Sequence, residues 1–355
     1  MSGTDSTSFR IAGADDIAAI RGFIEEHWRS GHVLARDESL LRWQHLEADG
    51  RLDFVVAERG DSILGILGFI DQGRFDPSHR GESVSLTTWI ARTDVPTTGV
   101  GAGLVRHLAR TLRPALISTI GVATPAQAML RLLGYQTGTM DHHVVLNPSR
   151  RRFDLAVVSG DAPRHGSVPG RASVTWMGPC SALPSGTAEL FERHNSSFLP
   201  AKSARYFSAR FTGHPQYDYR AIVLDTADGA SCVLVCRTIE APGASVMRCV
   251  DAVGQLHAPG IGAALGALLA DEGHEYLDIV HHASSDAPSE SAGFQRVGPG
   301  TGIELPGFFE PFVREWRELR FAHQIGPHEV RGIHLFLADS DQDRPNRPAA
   351  ERSAR

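Results

Sequence analysis

The apolar positions of the first half of the chain follow a helical spacing, then the spacing of strands, and then alternate between the two. Ile17, Ile20 and Ile24 recur at helical intervals after two aspartates that can cap a helix, and Ser39 to Leu46 continues that spacing. The turn-like Arg59 to Ser62 predicts an antiparallel hairpin between the first two strands. The predicted elements after Leu46 are, in order, strands at Phe54 to Glu58, Ile63 to Ile70 and Val84 to Arg92, a helix carrying Leu104, Leu108 and Leu112, a strand at Ala115 to Val122, a helix at Pro125 to Leu133 and a strand at His143 to Leu146.

The second half repeats this order of elements. Its predicted strands lie at Ala221 to Leu224, Ser231 to Thr238, Val246 to Val250 and Tyr276 to Val280, with a glycine-containing turn before the last of them. The glycines of residues 99–103 reappear about 160 residues later at Gly260 and Gly262, and Gly134-Tyr135 reappears as Gly293-Phe294. We therefore expect a duplicated fold. Its expected parts are a disordered tail over residues 1–8, a first domain over 9–148, a linker over 149–172, a second domain over 173–335, and a C-terminal extension and tail over 336–355.

Composition narrows the class of protein. With 355 residues, 42% of them hydrophobic and 21% charged, the chain is of ordinary globular composition and long enough for about two domains. A net charge of -6 gives no reason to expect a nucleic-acid partner. Nothing at the N-terminus resembles a signal peptide, and no apolar run approaches the ~18 residues of a membrane span. We therefore expect a cytoplasmic protein without membrane insertion.

The residues that could bind a metal lack the necessary spacing. The four cysteines have neither zinc nor redox spacing, so buried thiols are expected. The alternating acids of residues 339–343 lack the glycine and the distal glutamate of a calcium loop. We expect no metal, and an acidic contact from this segment to a cationic substrate or a neighbouring arginine.

One motif carries chemistry. Gly99-Val100-Gly101 lies between a predicted strand and a predicted helix, where glycines let successive N–H groups point outward and the helix start adds partial positive charge. These features suit a pyrophosphate. The spacing lacks the third glycine of the dinucleotide fingerprint and the Gly-Lys-Ser/Thr of a P-loop.

The motif resembles the coenzyme loop of the GCN5-related N-acetyltransferase (GNAT) superfamily. That loop reads Gln/Arg-x-x-Gly-x-Gly/Ala, and residues 96–101 read PTTGVG. The family's helix ending in Gly-Phe appears as AQAMLRLLGY at residues 126–135. The resemblance covers residues 9–148 well and 173–325 more weakly. It implies an α/β (α+β) fold of tandem GNAT-like domains, each with a mixed, mostly antiparallel central sheet flanked by helices.

The resemblance also implies a co-substrate and its contacts. The co-substrate would be acetyl-CoA or another acyl-CoA, and a strand N–H near Thr88 and Trp89 would stabilise the oxyanion of the reacting thioester. The turn residues expected to bind the coenzyme are Thr98, Gly99, Val100, Gly101, Ala102 and Gly103. Pro96 replaces the usual Gln/Arg, which removes one side-chain contact. Leu130 replaces a tyrosine that protonates the thiolate in many relatives. This either leaves the general acid unassigned or means that water or another side chain protonates the thiolate.

An attacking amine must lose a proton, which requires a base or a water chain. Glu82, His142 and His143 are the candidate bases, with structural or surface roles as the alternative for each. On the acceptor side, His27, Trp28, His32, Arg36 and Trp43 precede the hairpin and could stack on and hydrogen-bond a sugar. A mixed core with surface charges is the other interpretation. Arg74 either shapes the same pocket or belongs to a turn.

More narrowly, the chain resembles bacterial two-domain acetyltransferases associated with surface-polysaccharide and sugar biosynthesis. The stretches that carry this likeness are EHWRSGHVLARDESLLRWQ, GILGFIDQGRFDPS, FFEPF and DSDQDRP. The resemblance implies N-acylation of an amino sugar or sugar nucleotide by direct attack of the amine on the thioester. The alternatives are an aminoacyl transferase of the Fem type, or a catalytically degenerate protein that serves as a scaffold and in which acyl-CoA binding is regulatory or lost. The oligomeric state stays open.

Overall fold

The computed structural model describes residues 6–159, 171–229, 231–241, 243–306 and 315–346. Most of the predicted N-terminal tail, the middle of the predicted linker, the FFEPF stretch at residues 308–312 and the last nine residues lie outside this described part. Eight α-helices occur within it: α1 (Ile17–His27), α2 (Val33–Arg36), α3 (Glu38–His45), α4 (Val100–Leu112), α5 (Thr124–Leu132), α6 (Ala188–Ser197), α7 (Ala204–Phe211) and α8 (Ile261–Glu272).

The same part of the chain contains eighteen strands. In chain order they are β1 (Ser8–Gly13), β2 (Arg51–Arg59), β3 (Ser62–Asp71), β4 (Ser83–Ala91), β5 (Leu116–Ile120), β6 (Gln136–Thr139), β7 (Asp141–Leu146), β8 (Val157–Val158), β9 (Ala172–Gly178), β10 (Phe198–Leu199), β11 (Arg220–Thr226), β12 (Ser231–Ala241), β13 (Ala244–Gly254), β14 (Tyr276–Ala283), β15 (Gln295–Arg296), β16 (Ile303–Glu304), β17 (Arg320–Ile325) and β18 (Gly332–Phe336).

The chain divides into two compact units. The first extends to Gly138 and includes Arg320–Glu329, and the second runs from Thr139 to Leu319 and includes Val330–Asp343. The first unit contains a seven-stranded sheet in the order β1-β2-β3-β4-β5-β17-β6. The pairs β1–β2, β2–β3, β3–β4 and β5–β17 are antiparallel, whereas β4 and β5 run parallel.

Helices cover both faces of this sheet with apolar side chains. On one face, Ile20, Ile24 and Leu41 of α1 and α3 pack with Phe54 and Ile66 of the hairpin. On the other face, α4 and α5 bury a second cluster against Val55, Leu67, Leu86 and Ile117 among others. The alternation of these side chains along β2 and β3 is the strand spacing seen in the sequence, and the predicted hairpin is confirmed.

The second unit has a nine-stranded sheet. Its main path is β10-β18-β14-β13-β12-β11-β9, with β7 paired to β14 and β15. The pair β13 and β14 is parallel, as is the pair β10 and β18. Helix α8 packs on a core that contains Cys232, Cys236 and Cys249. All four cysteines are buried free thiols, as predicted.

Two strands lie in the sheet of the other half of the sequence. The strand predicted at His143 to Leu146 forms, as β7, but it pairs with β14 of the second unit, where Ile279 is opposite His143. In the first unit, β17 pairs with β5, with His323 opposite Ser118. The sequence pattern did not predict β17. The expectation that His143 to Leu146 completes the first sheet was wrong, because each sheet is completed by a strand from far along the chain.

The segments outside the predicted domains also carry structure. β8 lies in the predicted linker and pairs with β16. In the predicted C-terminal extension, residues 337–343 are buried, and Asp343 accepts a hydrogen bond from Arg237 Nε at 2.8 Å. The expected contact between this acidic segment and a neighbouring arginine is therefore present. No helix in the described part of the chain is long and apolar enough to cross a bilayer.

Candidate functional site

An opening between the parallel strands β4 and β5 marks the candidate site of the first unit. The two strands pair only from Ser83 opposite Leu116 to Leu86 opposite Thr119. The last five residues of β4, 87–91, have no partner in β5. Backbone groups on this edge of β4 are therefore available to a ligand inserted between the strands.

A bulge in β4 lies where the opening begins. Phe69 of β3 is opposite Leu86, and Leu67 is opposite Trp89, so Thr87 and Thr88 of β4 together face the single residue Gly68. The hydroxyl groups of both threonines are buried and have no hydrogen-bond partner among the described residues. A bulge redirects side chains and interrupts the hydrogen-bond ladder, which concentrates unused polar groups at this point.

The glycine turn that follows β4 presents further unused donors. Gly99 has φ 81° and ψ -9°, a left-handed conformation that favours glycine, and it caps the start of α4. Thr97 and Gly99 accept the hydrogen bonds of Val100 N–H and Gly103 N–H. Within the described residues, the N–H groups of Gly99, Gly101 and Ala102 have no acceptor. Unpaired N–H groups at a helix start attract an anion.

The side chains of Met129 and Trp89 lie close to the turn at Gly101. A Cβ built on Gly101 would lie 3.2 Å from Met129 Cε and 3.6 Å from the ring of Trp89. The turn, the strand residue Trp89 and helix α5 are therefore adjacent. Gly103 differs, because a Cβ there would lie 2.3 Å from Phe9 Cζ. Gly103 thus allows α4 to pack on β1.

Comparison with solved structures identifies the arrangement. No protein-family model and no curated protein sequence matches the chain. A GCN5-related N-acetyltransferase from Anabaena variabilis matches with a TM-score of 0.53 and 10% sequence identity, over 90% of this chain and 73% of that one. The fold is that of a GCN5-related N-acetyltransferase.

Two further structures have similar coverage at lower TM-scores. A GCN5-related N-acetyltransferase from Kribbella flavida has a TM-score of 0.45 and 13% identity, covering 91% of this chain and 71% of that one. A tandem GNAT protein from the clavulanic acid biosynthesis pathway has a TM-score of 0.40 and 14% identity, covering 92% and 100%. The fold assignment rests on the first structure alone.

The second GNAT-like unit has the same glycine turn, but other residues cover it. Gly260 has φ 92° and precedes α8 as Gly99 precedes α4. A Cβ on Gly262 would lie 2.6 Å from the carbonyl carbon and oxygen of Gly293. The segment before Gly293 forms only the 3-10 turn Glu290–Ala292, where the first unit has α5. Gly260 and Gly262 are buried, whereas Gly99 is exposed.

The opening of the second sheet contains a buried ion cluster. β13 and β14 pair only from Met247 to Cys249, and Asp251 follows two residues later. Lys202 Nζ lies 3.0 Å from Asp251 Oδ2 and also contacts Asp339, with all three side chains fully buried. Burial raises the pKa of Asp251 to about 7, against the attraction of Lys202. Burial alone would lower the pKa of Lys202, but the two carboxylates raise it above its usual value.

The three candidate bases lie apart from one another. Glu82 precedes β4 at the end where β4 and β5 are paired, and its carboxylate lies 3.0 Å from His79 Nδ1. Thr88 lies six positions after Glu82, which is about 20 Å along an extended chain. Glu82 therefore does not lie at the opening.

His142 and His143 belong to the second unit, because they lie in β7. His142 Nε2 lies 3.1 Å from Asp278 Oδ2, and Arg248 holds the same carboxylate at 2.9 Å. His143 Nδ1 lies 3.0 Å from His281 Nε2. Burial lowers the pKa of His143 to about 4, so this imidazole is neutral at pH 7. The expectation that these histidines end the first domain's sheet was wrong for the reason given for β7.

Four of the predicted acceptor residues surround the connection between α1 and α2. Trp28 is 45% exposed, and its ring centroid lies 4.3 Å from that of His32. His32 Nδ1 accepts a hydrogen bond from the N–H of the second residue of α2. The ring of His27 packs on Phe23 at 4.7 Å, and the guanidinium of Arg36 lies beside Gly31. These residues form one partly exposed aromatic and basic patch.

Trp43 and Arg74 form a second group at the end of α3. The ring of Trp43 lies 5.6 Å from that of Phe75. Arg74 donates hydrogen bonds to the backbone oxygens of Arg42, at 2.9 Å, and Trp43, at 2.7 Å, and contacts that of Leu46. Its guanidinium therefore caps the last carbonyl groups of a helix, which is a structural task.

Leu130, at the position where many GNAT proteins have a tyrosine, is part of the hydrophobic core. Leu130 is fully buried in the cluster beneath α4 and α5, so its side chain takes no part in proton transfer. Tyr135, in the same cluster, has a buried hydroxyl without a partner among the described residues. Burial raises the pKa of Tyr135, so the phenol stays protonated. Thr87, Met129 and Tyr135 were not among the site residues predicted from the sequence. The bulge in β4 places Thr87 at the opening, and the packing of α5 places Met129 beside the turn and Tyr135 in the core.

Proposed function

We propose that this chain is an acyl-CoA-dependent N-acyltransferase that transfers an acetyl or other acyl group to the amine of a small molecule. The observation that carries the proposal is the opening between β4 and β5, which lies directly before a helix start with unpaired N–H groups. A pantetheine arm is long and narrow enough to insert between two strands, and a pyrophosphate suits the helix start. The GNAT fold supports the same activity.

The proposed coenzyme contacts come mainly from the backbone. The N–H groups of Gly99, Gly101 and Ala102 would bind the pyrophosphate, and the missing Cβ of Gly101 would let it approach beside Trp89 and Met129. Residues Thr98 and Val100 shape the turn, and Gly103 packs against β1. An N–H of the bulged segment at Thr88 or Trp89 would stabilise the thioester oxyanion.

The reaction we propose is direct attack in a ternary complex. The amine nitrogen bonds to the thioester carbonyl carbon, the C–S bond breaks, the amine loses a proton and the coenzyme A thiolate gains one. Because Leu130 is buried and Glu82 lies at the far end of β4, we propose that water at the opening carries these protons. That His142 or His143 acts as the general base remains a prediction from the sequence.

We propose an amino sugar or sugar nucleotide as the acceptor. The exposed ring of Trp28, stacked beside His32 and near His27 and Arg36, offers the aromatic and polar surface that sugars bind. The link to surface-polysaccharide biosynthesis and the cytoplasmic location stay predictions from the sequence. Among the described residues, no group of three or more His, Cys, Asp or Glu side chains is arranged to hold a metal ion.

Calorimetric titration with acetyl-CoA and with free coenzyme A tests the coenzyme site. We expect one equivalent to bind, because the turn of the second unit is covered by Gly293. Gly101→Glu should abolish binding, since its carboxylate would occupy the anion site. Gly22→Glu is the matched control, because Gly22 lies on an exposed helical turn with no atom within 4 Å of a built Cβ.

Three outcomes discriminate between the functions. Micromolar binding that is lost in Gly101→Glu and kept in Gly22→Glu supports the proposal, and a screen of amino sugars then addresses the acceptor. Binding that survives Gly101→Glu would refute the assigned site. No binding by the folded protein would favour the aminoacyl transferase of the Fem type or the scaffold.

A further inference from the structure

The second unit contains a cavity that the proposed acyl transfer does not use. Its volume is about 420 Å³, and it opens between the start of β11 and the part of β12 that follows the register shift between β12 and β13. Its walls are formed by Gln216, Tyr217, Tyr219, Arg220, Arg237 and Thr238 among others. A volume in this range accommodates a small organic molecule, whereas a single water occupies roughly 30 Å³.

Arg237 supplies the chemistry of this cavity. The residue is 8% exposed, and its guanidinium carbon lies 4.2 Å from the centroid of the Tyr217 ring. Its Nε donates to Asp343 Oδ1 at 2.8 Å. Neither Nη1 nor Nη2 has an acceptor among the described residues. An arginine that is more than nine-tenths buried, with its two outer nitrogens unused, offers the fork that binds a carboxylate or phosphate.

The neighbouring arginines are already paired with carboxylates, whereas the outer nitrogens of Arg237 have no such partner among the described residues. Tyr219 Oη donates to Asp343 Oδ2 at 2.6 Å, so both oxygens of Asp343 are engaged. Arg220 is held by both carboxylate oxygens of Glu272. Arg248, directly across from Arg237 on β13, is paired with Asp278. Asp343 therefore needs no further donor. Arg220 and Arg248 are each paired with a carboxylate, and Asp218 also lines the cavity, so the attraction for an anion comes from the outer nitrogens of Arg237.

We propose that this cavity binds an oxyanion, a carboxylate or phosphate group, carried by a small organic molecule. The anion would accept two hydrogen bonds from Arg237 Nη1 and Nη2, and the rings of Tyr217 and Tyr219 would enclose the organic part. A bare inorganic ion would fill only part of the 420 Å³ cavity, so the rest of the volume is assigned to the organic part of the ligand. The site belongs to the second unit, so it is distinct from the glycine turn and from the opening of β4.

Calorimetry with benzoate and phenyl phosphate tests this proposal, with benzamide as the uncharged analogue. We expect saturable binding of one equivalent of at least one anion, and at least tenfold weaker binding of benzamide. The stronger of the two anions distinguishes a carboxylate from a phosphate site. Absence of saturable binding of both anions to the wild-type protein would overturn the proposal.

Variants locate the bound probe. Arg237→Lys keeps a charge beside Asp343 but removes the planar fork, so it should weaken anion binding at least tenfold, whereas exposed Arg193→Lys should not. Gly101→Glu should leave probe binding unchanged. Loss of binding in Gly101→Glu with retention in Arg237→Lys would place the probe on the glycine turn and refute the site, whether or not the chain binds acyl-CoA.

A second pair of variants does not depend on the folding of Arg237→Lys. Thr238 lies on the exposed rim of the cavity. Thr238→Glu adds a carboxylate that repels an anion, and Thr238→Gln adds nearly the same volume without charge. We expect Thr238→Glu to bind the anion at least tenfold more weakly than Thr238→Gln. Equal affinities in the two variants would contradict binding beside Arg237.

Discussion

Replacing Lys202 by methionine tests the buried ion cluster of the second unit. Lys202 is the only lysine of the sequence, and its side chain is 0% exposed. It lies between the equally buried carboxylates of Asp251 and Asp339. Methionine keeps most of the volume and removes the charge, so the variant leaves two buried carboxylates without a cation.

The expected cost follows from this geometry. Breaking a buried ion pair by removing one partner costs about 3–5 kcal/mol, because the remaining charge stays desolvated. In the wild-type protein the folded-state pKa of Asp251 is raised to about 7 by burial, above its unfolded value near 4. A raised pKa stabilises the fold at low pH, and this contribution is lost as the pH rises from about 4 to about 7. Without Lys202 the folded-state pKa should rise further.

The loss of stability in Lys202→Met should therefore be larger at pH 8 than at pH 5, where the carboxyl groups can take up protons. Hydrogen exchange of the β13 amides measures it directly, since opening of one unit need not be coupled to that of the other. In the wild-type protein, an amine-reactive reagent should modify Lys202 only after denaturation. A change below 1 kcal/mol at pH 8, or rapid labelling of the native protein, would refute the argument.

Two further predictions concern the first unit. Tyr135→Phe should raise the free energy of unfolding by about 1 kcal/mol, because it removes a buried hydroxyl that has no partner among the described residues; a loss of stability in chemical denaturation would mean that the hydroxyl is hydrogen-bonded. A fragment ending at residue 148 lacks β17, so the edge of β5 would be left unpaired. We expect this fragment to lack the dispersed amide spectrum of a folded domain, and a fragment that folds and binds acetyl-CoA would contradict the assignment of β17.

The sequence by itself determined the local elements of this protein. The hairpin of β2 and β3, the strand β4, the glycine turn before α4 and the helix α5 all appear where their patterns predicted them. These features depend on residues a few positions apart, since apolar periodicity and turn glycines act over one or two turns of chain. The candidate coenzyme turn was found for this reason.

Tertiary structure alone decided the rest. His142 contacts Asp278, 136 residues away, and the strand that pairs with β5 is β17, from far along the chain. No local pattern encodes which edge a strand will join, because strands of similar composition are interchangeable until the whole sheet packs. The buried charges were hidden in the same way. Lys202 and Arg237 look like solvent-exposed cations in sequence. The acids of residues 339–343 were expected to contact an arginine, but only the folded chain shows that Asp343 pairs with Arg237 and Asp339 with Lys202, which makes the burial of both cations possible.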